Sequence, residues 1–294
     1  MTNYLKLLRV EQWVKNLFVF TPLFFSGNIF HTHLLLSSVF AFVVFSLVAS
    51  SIYILNDYMD IEADKKHPEK CKRPLASGAI SKTSAQLLFV GLLVIMVTLM
   101  VLGQSILGFN LLKFSAIITF YFVMNIAYTF KLKHVAIVDI CIIAIGFVLR
   151  VLAGGYATGI PISQWAVLLT FVLALVLAIG KRRGELVNAQ ISGRTRKALD
   201  GYNVLFADVA LSISITLGII SYLMFTVTPE IQEKFGQKVF YTVIFVVFAF
   251  LRYLQQTLVY NRTESPTKIV YKDRYIQATI IIWVFSFLLL IYYK

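Results

Sequence analysis

Nine long apolar runs occupy most of this sequence and set the strongest limit on its fold. A transmembrane α-helix needs about 20 consecutive, mostly apolar residues to cross the hydrocarbon core of a bilayer. Hydrophobic residues make up 59% of the 294-residue chain and charged residues 14%, whereas soluble domains contain about 45–50% and about 25% respectively. The runs cover residues 17–30, 34–55, 85–107, 111–130, 135–153, 165–179, 204–226, 239–258 and 276–293. The sequence therefore predicts an all-α polytopic membrane protein with nine transmembrane helices, which form one transmembrane domain over residues 1–294.

The charged residues are divided unequally between the loops on the two sides of these runs. The chain has 27 Lys and Arg against 14 Asp and Glu, a formal net charge of +13. All the basic residues except five lie in the N-terminal segment, in every second loop or at the end of the eighth run; the five are Lys113, Arg150, Lys234, Lys238 and Lys294. A basic soluble protein would suggest a nucleic-acid partner, but membrane proteins retain Lys and Arg on the cytoplasmic side. We therefore predict no nucleic-acid partner and a multi-pass protein of the cytoplasmic membrane, with its N-terminus inside and its C-terminus outside.

The densest group of carboxylates follows the second apolar run directly. Asn56, Asp60 and Asp64 are spaced four residues apart, so a helix that continues through them places all three on one face. Like charges one turn apart repel each other, and a cation between them would relieve this repulsion. Mg²⁺ binds through one or two carboxylates together with substrate phosphates and water, so the row predicts a magnesium site, with Asp57 beside it. The alternative is a solvated helix end whose acids balance the lysines that follow.

A run of basic residues comes immediately after these acids. Arg73 lies in the conformationally restricted stretch Arg-Pro-Leu-Ala-Ser-Gly, which can direct a guanidinium group toward a phosphate. For Lys65, Lys66 and Lys70 the alternative is simple anchoring to anionic lipid. Acids for a metal beside cations for phosphate are typical of a diphosphate site.

Further polar residues lie at the ends of later runs, on the same predicted side. Lys133 precedes Asp139, which begins the fifth run, and Arg150 follows within that run. Charged residues in an apolar span are costly and by default mark a functional site, although a structural pair with partners on other helices is the alternative for both. Lys181 and Arg182 close the sixth run and add two more cations.

At these residues the chain resembles the UbiA-type intramembrane prenyltransferase superfamily. The segment Asn56-Asp57-x-x-Asp60-x-x-x-Asp64 is similar to the first aspartate-rich motif of that superfamily. The second motif is matched by Lys133-x5-Asp139 and its continuation to Gly146-Phe147-Val148-Leu149-Arg150. A tyrosine also lies near the lysine in the family pattern, and Tyr128 is the candidate here at a different spacing. The resemblance implies a nine-helix bundle with its polar site at the cytoplasmic face, and Mg²⁺ as the cofactor.

Four features resemble one branch of the superfamily, the decaprenyl-phosphate phosphoribosyltransferases. They are Arg9-x-x-Gln12-Trp13-x-Lys15-Asn16, the extension from Asp64 through Arg73 to Gly78, Gly180-Lys181-Arg182-x-x-Glu185-Leu186, and Asp273-Arg274. The resemblance implies transfer of 5-phosphoribosyl from phosphoribosyl pyrophosphate to a polyprenyl phosphate lipid in the bilayer, with release of pyrophosphate.

This resemblance implies a role for each candidate residue. Asn56, Asp60 and Asp64 would hold the metal; Lys15, Arg73 and Lys133 would bind donor phosphates; Arg150 or Lys181 would contact the acceptor or the ribose 5-phosphate. Asp139 would hold the ribose hydroxyls or orient Lys133. The predicted catalytic set is Asp60, Asp64, Lys133 and Asp139, and the predicted substrate-binding set is Lys15, Asn16, Asp57, Arg73, Tyr128, Arg150, Lys181 and Arg182.

Two other functions remain open on the sequence. One is an ordinary prenyltransferase that joins a polyprenyl diphosphate to an aromatic acceptor. The other is a transporter of an anionic solute, which favours polar groups at the membrane midplane in broken helices. The polar residues of this chain crowd instead toward one predicted membrane face.

Overall fold

The computed structural model describes residues 3–192, 197–261, 269 and 272–292, and these residues form helices without a β-strand. The α-helices are α1 Asn3–Leu8, α2 Thr21–Ser26, α3 Thr32–Met59, α4 Ile61–Lys65, α5 Lys82–Leu107, α6 Leu111–Phe130, α7 Val138–Thr158, α8 Gln164–Ser192, α9 Val204–Val227, α10 Pro229–Phe235, α11 Val243–Leu258 and α12 Arg274–Tyr292. Short 3₁₀ segments cover Val10–Phe20, Lys70–Lys72, Leu132–His134, Lys197–Gly201 and Gln237–Thr242. The predicted all-α class is confirmed.

Eight helices in the described part of the chain are long and apolar enough to cross a membrane. They are Thr32–Met59, Lys82–Leu107, Leu111–Phe130, Val138–Thr158, Gln164–Ala189, Val204–Val227, Gln237–Leu258 and Arg274–Tyr292. A helix satisfies its own backbone hydrogen bonds, which is why helices can cross hydrocarbon. The protein is thus a multi-pass membrane protein.

The first predicted span, residues 17–30, is built differently from the other eight. The 3₁₀ segment Val10–Phe20 passes directly into α2, which has Pro22 in its first turn. Proline is favoured there because it lacks the N–H that would have no helical partner. Gly27 ends α2 with a φ of 79°, a conformation that glycine adopts without steric cost. The predicted count of nine is therefore approximate.

The helices extend beyond the apolar runs, and this brings charged residues into regular structure. The sixth run was predicted to end at residue 179, but α8 continues to Ser192 and includes Lys181 and Arg182. Likewise α3 continues four residues past the predicted end of its run, to Met59. Candidate site residues are thus held on helix extensions.

The contacts divide the chain into two compact units. Unit 1 comprises the residues up to Phe130 together with Leu149–Ile162, and unit 2 comprises Lys131–Val148 and the residues from Ser163 onward. The prediction of one domain over residues 1–294 stays a prediction.

Each unit has its own apolar core. In unit 1, Ile54 of α3 packs with Ile61, Leu75 and Ile80, so the loop after α3 is held against the end of that helix. The core of unit 2 joins residues of α7, α8, α9 and α11, including Ile140, Val176, Leu211 and Tyr253, and also contains Tyr202. These cores hold in place the loops that carry the candidate site residues.

Candidate active site

The predicted acidic row lies at a break between two helices of unit 1. α3 ends at Met59, Asp60 takes φ −94° and ψ 6°, and α4 begins at Ile61. The amide of Asp60 nevertheless donates to the carbonyl of Asn56 at 3.0 Å, and the amide of Asp64 donates to that of Asp60 at 2.8 Å. The helical hydrogen bonds between residues four positions apart therefore continue through the break.

Arg73 bridges two of the acids. Its Nη1 atom lies 3.1 Å from Oδ1 of Asp57 and 2.7 Å from Oδ2 of Asp64. Arg9 also donates to Asp57, at 2.5 Å. Both carboxylates are buried, so the acids and guanidinium groups form one paired cluster, which we call the Arg73 cluster: Arg9, Asp57, Asp64 and Arg73.

Asp57 is predicted to lie beside the acidic row, and helix geometry explains why Arg73 can contact both Asp57 and Asp64. At 3.6 residues per turn, the side chains of Asp57 and Asp64, seven residues apart, point in directions about 20° apart around the helix axis. Those of Asn56 and Asp64, eight residues apart, differ by about 80°. The i, i+7 spacing of Asp57 and Asp64 is therefore the local sequence signal for this contact. The contact of Arg9 with Asp57, 48 residues away, had no comparable local signal.

The predicted metal ligands Asn56, Asp60 and Asp64 remain a prediction. Within the described ranges, no three His, Cys, Asp or Glu side chains lie close enough together to hold a metal ion. Asn56 accepts a hydrogen bond from Oγ1 of Thr129 at 2.5 Å, and its carbonyl oxygen retains a second lone pair. The oxygen donors at this helix break fit Mg²⁺, which uses few protein ligands and completes its octahedron with phosphate and water.

Arg150 and Asn16, both predicted to bind substrate, are in direct contact in unit 1. Nε of buried Arg150 donates to Oδ1 of Asn16 at 2.8 Å, and Nη2 donates to the hydroxyl of Tyr121 at 3.1 Å. Asn16 in turn donates to Oγ of Ser46 at 2.9 Å. The guanidinium group also lies over the ring of Phe45, 4.8 Å from its centroid. A charge inside this helical unit is thereby stabilised through neutral groups and aromatic faces.

Lys15 lies beside this group and makes the surroundings more electropositive. Burial, followed by the positive charges of Arg150 and Arg9, lowers the pKa of Lys15 to about 8. In the described part of the chain, no carboxylate forms a salt bridge with it. A partly buried ammonium group near two guanidinium groups favours a bound anion.

Asp139 and Arg182, predicted as catalytic and substrate-binding residues, pair with each other in unit 2. Asp139 is 0% exposed and Arg182 1%, and Nε of Arg182 donates to Oδ2 of Asp139 at 2.6 Å. Arg182 also pairs with Glu185, which lies 3.9 Å from the ammonium of Lys181. The alternative interpretation of Asp139 was a structural pair with a residue on another helix, and its contact with Arg182 has this geometry. Contact of Asp139 or Arg182 with substrate stays a prediction.

The remaining candidates lie nearer the surface. Lys133 is partly buried in the 3₁₀ turn Leu132–His134 of unit 2, and Lys181 is exposed on α8. Tyr128 is partly buried on α6 of unit 1. Sequence reasoning missed Tyr202, whose hydroxyl donates to Oδ1 of Asp139 at 2.8 Å. The two residues are 63 positions apart, so no local pattern could have joined them.

A family model and several known proteins match this chain over most of its length. Residues 17–275 match the UbiA prenyltransferase family. A decaprenyl-phosphate phosphoribosyltransferase of Corynebacterium glutamicum is 31% identical over 98% of this chain and 86% of its own length. The enzyme of the same name from Mycolicibacterium smegmatis is 34% identical over 96% and 90%.

Solved structures show the same fold at lower sequence identity. A UbiA homologue from Archaeoglobus fulgidus, bound to DMAPP and Mg²⁺, has a TM-score of 0.69 with 17% identity, and the match covers 99% of both chains. The family match spans most of the chain, and the relatives from C. glutamicum and M. smegmatis match it over nearly its whole length. The chain belongs to the UbiA prenyltransferase family.

Proposed function

We propose that this protein transfers the 5-phosphoribosyl group of phosphoribosyl pyrophosphate to a polyprenyl phosphate lipid and releases pyrophosphate. The similarity to the two decaprenyl-phosphate phosphoribosyltransferases, at 31% and 34% identity over nearly the whole chain, carries this proposal. The cations of unit 1 support it, because both substrates present phosphate groups.

The bond changes of the reaction are simple. An oxygen of the lipid phosphate forms a bond to the anomeric carbon of the ribose, and the bond from that carbon to the pyrophosphate oxygen breaks. The lipid phosphate is already an anion, so the reaction needs no strong general base. Negative charge develops on the leaving pyrophosphate, and fixed positive groups that stabilise this charge accelerate the reaction.

In this proposal Asn56, Asp60 and Asp64 would hold Mg²⁺ at the break between α3 and α4. An ion bound there would supply positive charge that stabilises the pyrophosphate leaving group. The guanidinium of Arg73 already lies beside the acids, and its planar fork matches phosphate oxygens. Arg73 therefore orients the donor diphosphate, and Lys133 supplies a further cation for the donor.

Lys15 and Arg150 contribute a second positive group within unit 1. Arg150 lacks the flexibility of a surface cation, since Asn16 and Tyr121 hold its guanidinium group. We propose that Lys15 and Arg150 bind a phosphate oxygen of one of the two substrates. A fixed cation costs less reorganisation when the anion arrives than a mobile one.

We also propose that the reaction takes place at the cytoplasmic face of the cytoplasmic membrane, with the N-terminus inside and the C-terminus outside. All but five of the 27 basic residues fall on the side assigned to the cytoplasm, which is the usual bias of inner loops. Phosphoribosyl pyrophosphate, a water-soluble donor, would then reach the site from the cytoplasm.

Pyrophosphate release by the purified protein tests the reaction. We expect release only when phosphoribosyl pyrophosphate, polyprenyl phosphate and Mg²⁺ are all present, and no release when either substrate is omitted. Release from a polyprenyl diphosphate in the presence of an aromatic acceptor, without use of phosphoribosyl pyrophosphate, would instead identify an ordinary prenyltransferase.

A further inference from the structure

The loop that carries Lys133 contains a strained residue. Residues 131–137 connect α6 to α7 and include the 3₁₀ turn Leu132–His134. Ile137, at the end of this loop, has a φ of +69°. A β-branched residue rarely adopts this left-handed conformation, and such strain persists only where the surrounding structure enforces it.

The hydroxyl of Tyr202 contacts the strained residue, Ile137. It accepts a hydrogen bond from the amide of Ile137 at 2.6 Å and donates one to Oδ1 of Asp139 at 2.8 Å. The other oxygen of Asp139 accepts from Arg182 at 2.6 Å. Both carboxylate oxygens are therefore used inside the protein, and together these bonds tie the loop to α7 and α8.

The residue before Tyr202 also lies close to the loop. A Cβ atom on Gly201 would clash with Cβ of Ala136, so the segment before Tyr202 lies in close contact with the loop and requires glycine at its end. Burial, the largest cause, raises the pKa of Tyr202 far above its ordinary value. The hydroxyl therefore keeps its proton and donates to Asp139 throughout the physiological pH range.

We infer that Tyr202 is a positioning residue, which holds the loop of residues 131–137 and thereby sets the place of Lys133. Asp139 and Arg182 form the anchor for Tyr202. The inference rests on the proposed function in one respect only, which is that Lys133 binds the phosphoribosyl donor. Loss of the anchor then weakens donor binding, because a catalytic contact is sensitive to displacements of about 1 Å.

Tyr202→Phe tests this inference, with Tyr222→Phe as its matched control. Both tyrosines belong to unit 2, are 9% and 5% exposed, and make two hydrogen bonds through the hydroxyl. The partners of Tyr222 are Thr242 and Trp283, neither of which belongs to the loop. Both variants therefore lose one buried and one partly buried hydrogen bond, but only Tyr202→Phe releases Ile137.

Two measurements distinguish positioning from a general loss of stability. For Tyr202→Phe we expect amide hydrogen exchange in residues 131–138 to accelerate about tenfold, and the KM for phosphoribosyl pyrophosphate to rise about five- to tenfold. Tyr222→Phe should leave the exchange rate in residues 131–138 and the KM for phosphoribosyl pyrophosphate unchanged. In a Lys133→Ala background, Tyr202→Phe should have little further effect on donor KM, since both changes act on the same contact.

A second variant keeps the test decisive if Tyr202→Phe folds poorly. Ile137→Gly removes the strain, because glycine adopts a positive φ without steric cost. Added to Tyr202→Phe, it should restore folding and expose the change in loop exchange. Exchange in residues 131–138 that matches the Tyr222→Phe control would overturn the inference. If the wild-type protein ignores phosphoribosyl pyrophosphate, the proposed function fails, while the exchange measurement still decides whether Tyr202 anchors the loop.

Discussion

The guanidinium of Arg73 lies 2.7 Å from the carboxylate of Asp64 and uses the same nitrogen for Asp57. The segment between α4 and α5 is thus tied to the acidic residues of α3 and α4 by charge as well as by apolar packing. A residue proposed to bind phosphate is, in this structure, also the counterion of two acids. Substitutions in the Arg73 cluster are consequently expected to affect stability and activity together.

Arg73→Ala removes one guanidinium from two buried carboxylates. We expect turnover to fall at least about 100-fold and the free energy of unfolding to fall by about 2 kcal/mol, because a buried charge loses its partner. Arg73→Lys should retain part of the stability but little of the activity, since an ammonium group lacks the planar fork. Thermal unfolding in detergent and steady-state rates measure the two effects. Lys72→Ala, an exposed neighbour, is the control, and equal losses in both variants would argue against the cluster.

Asp60→Asn tests the proposed metal site with the least effect on folding. Asp60 is partly exposed at the helix break, whereas Asp64 is buried against Arg73. We expect the Mg²⁺ concentration for half-maximal activity to rise at least about tenfold in Asp60→Asn. Glu62→Gln is the control, because Glu62 is exposed and pairs with Lys65 at 2.9 Å, an interaction of small energetic value. An unchanged Mg²⁺ requirement in Asp60→Asn would remove Asp60 from the metal site.

The long helices were predictable from the sequence, because hydrocarbon permits little except helices of sufficient apolar length. The extensions of these helices beyond the apolar runs could not be predicted from the sequence. Charged residues such as Lys181 and Arg182 end an apolar run, but α8 continues through them. The same limit applies to the first predicted span, where Pro22 and Gly27 shorten α2. Apolar length predicts where a chain enters hydrocarbon, but local backbone chemistry decides where its helices begin and end.

The candidate site was predictable only in part, and sequence distance explains which part. The acids between positions 57 and 64 could be grouped because helix geometry relates them directly. Contacts between Arg150 and Asn16, or between Asp139 and Arg182, join residues 134 and 43 positions apart. Such pairs depend on how helices pack, which composition and spacing do not specify. The alternative of a solvated helix end does not describe Asp64, which is buried and accepts a hydrogen bond from Arg73.

The lowered pKa of Lys15 predicts a characteristic pH dependence. Lys15 loses its proton near pH 8 in the folded protein but near 10.5 in the unfolded chain. Substrate binding should therefore weaken as pH rises above about 8, and the KM of one phosphate substrate should increase. Over the same range the unfolded chain binds more protons, so the free energy of unfolding should rise with pH.

Opposite trends in binding and stability separate this effect from denaturation. The arginine of Lys15→Arg keeps its charge at every pH used. This variant should therefore not show the increase in KM that begins near pH 8 in the wild type. Profiles of KM against pH for both substrates, recorded for wild type and Lys15→Arg, provide the measurement. If the increase in KM above about pH 8 persists in Lys15→Arg, another titrating group causes it.

Cys71 provides a direct test of orientation. It lies in the partly exposed loop between α4 and α5, while Cys141 lies on α7 within a candidate span. A membrane-impermeant thiol reagent should label Cys71 in inverted vesicles and leave it unlabelled in intact cells, with Cys71→Ser as the control. Cys141 should be protected in both preparations. Labelling of Cys71 in intact cells would reverse the proposed topology and the side of the reaction.

Mass analysis of the lipid product tests the central claim most directly. Purified protein would be incubated with polyprenyl phosphate, phosphoribosyl pyrophosphate and Mg²⁺, and the extracted lipid compared with that from a reaction containing Asp60→Asn. We predict a lipid whose mass has increased by one 5-phosphoribosyl group, one pyrophosphate released per lipid formed, and much less product from Asp60→Asn. An unmodified lipid phosphate, together with prenylation of an aromatic acceptor when a polyprenyl diphosphate is supplied, would contradict the proposed function and leave only family membership.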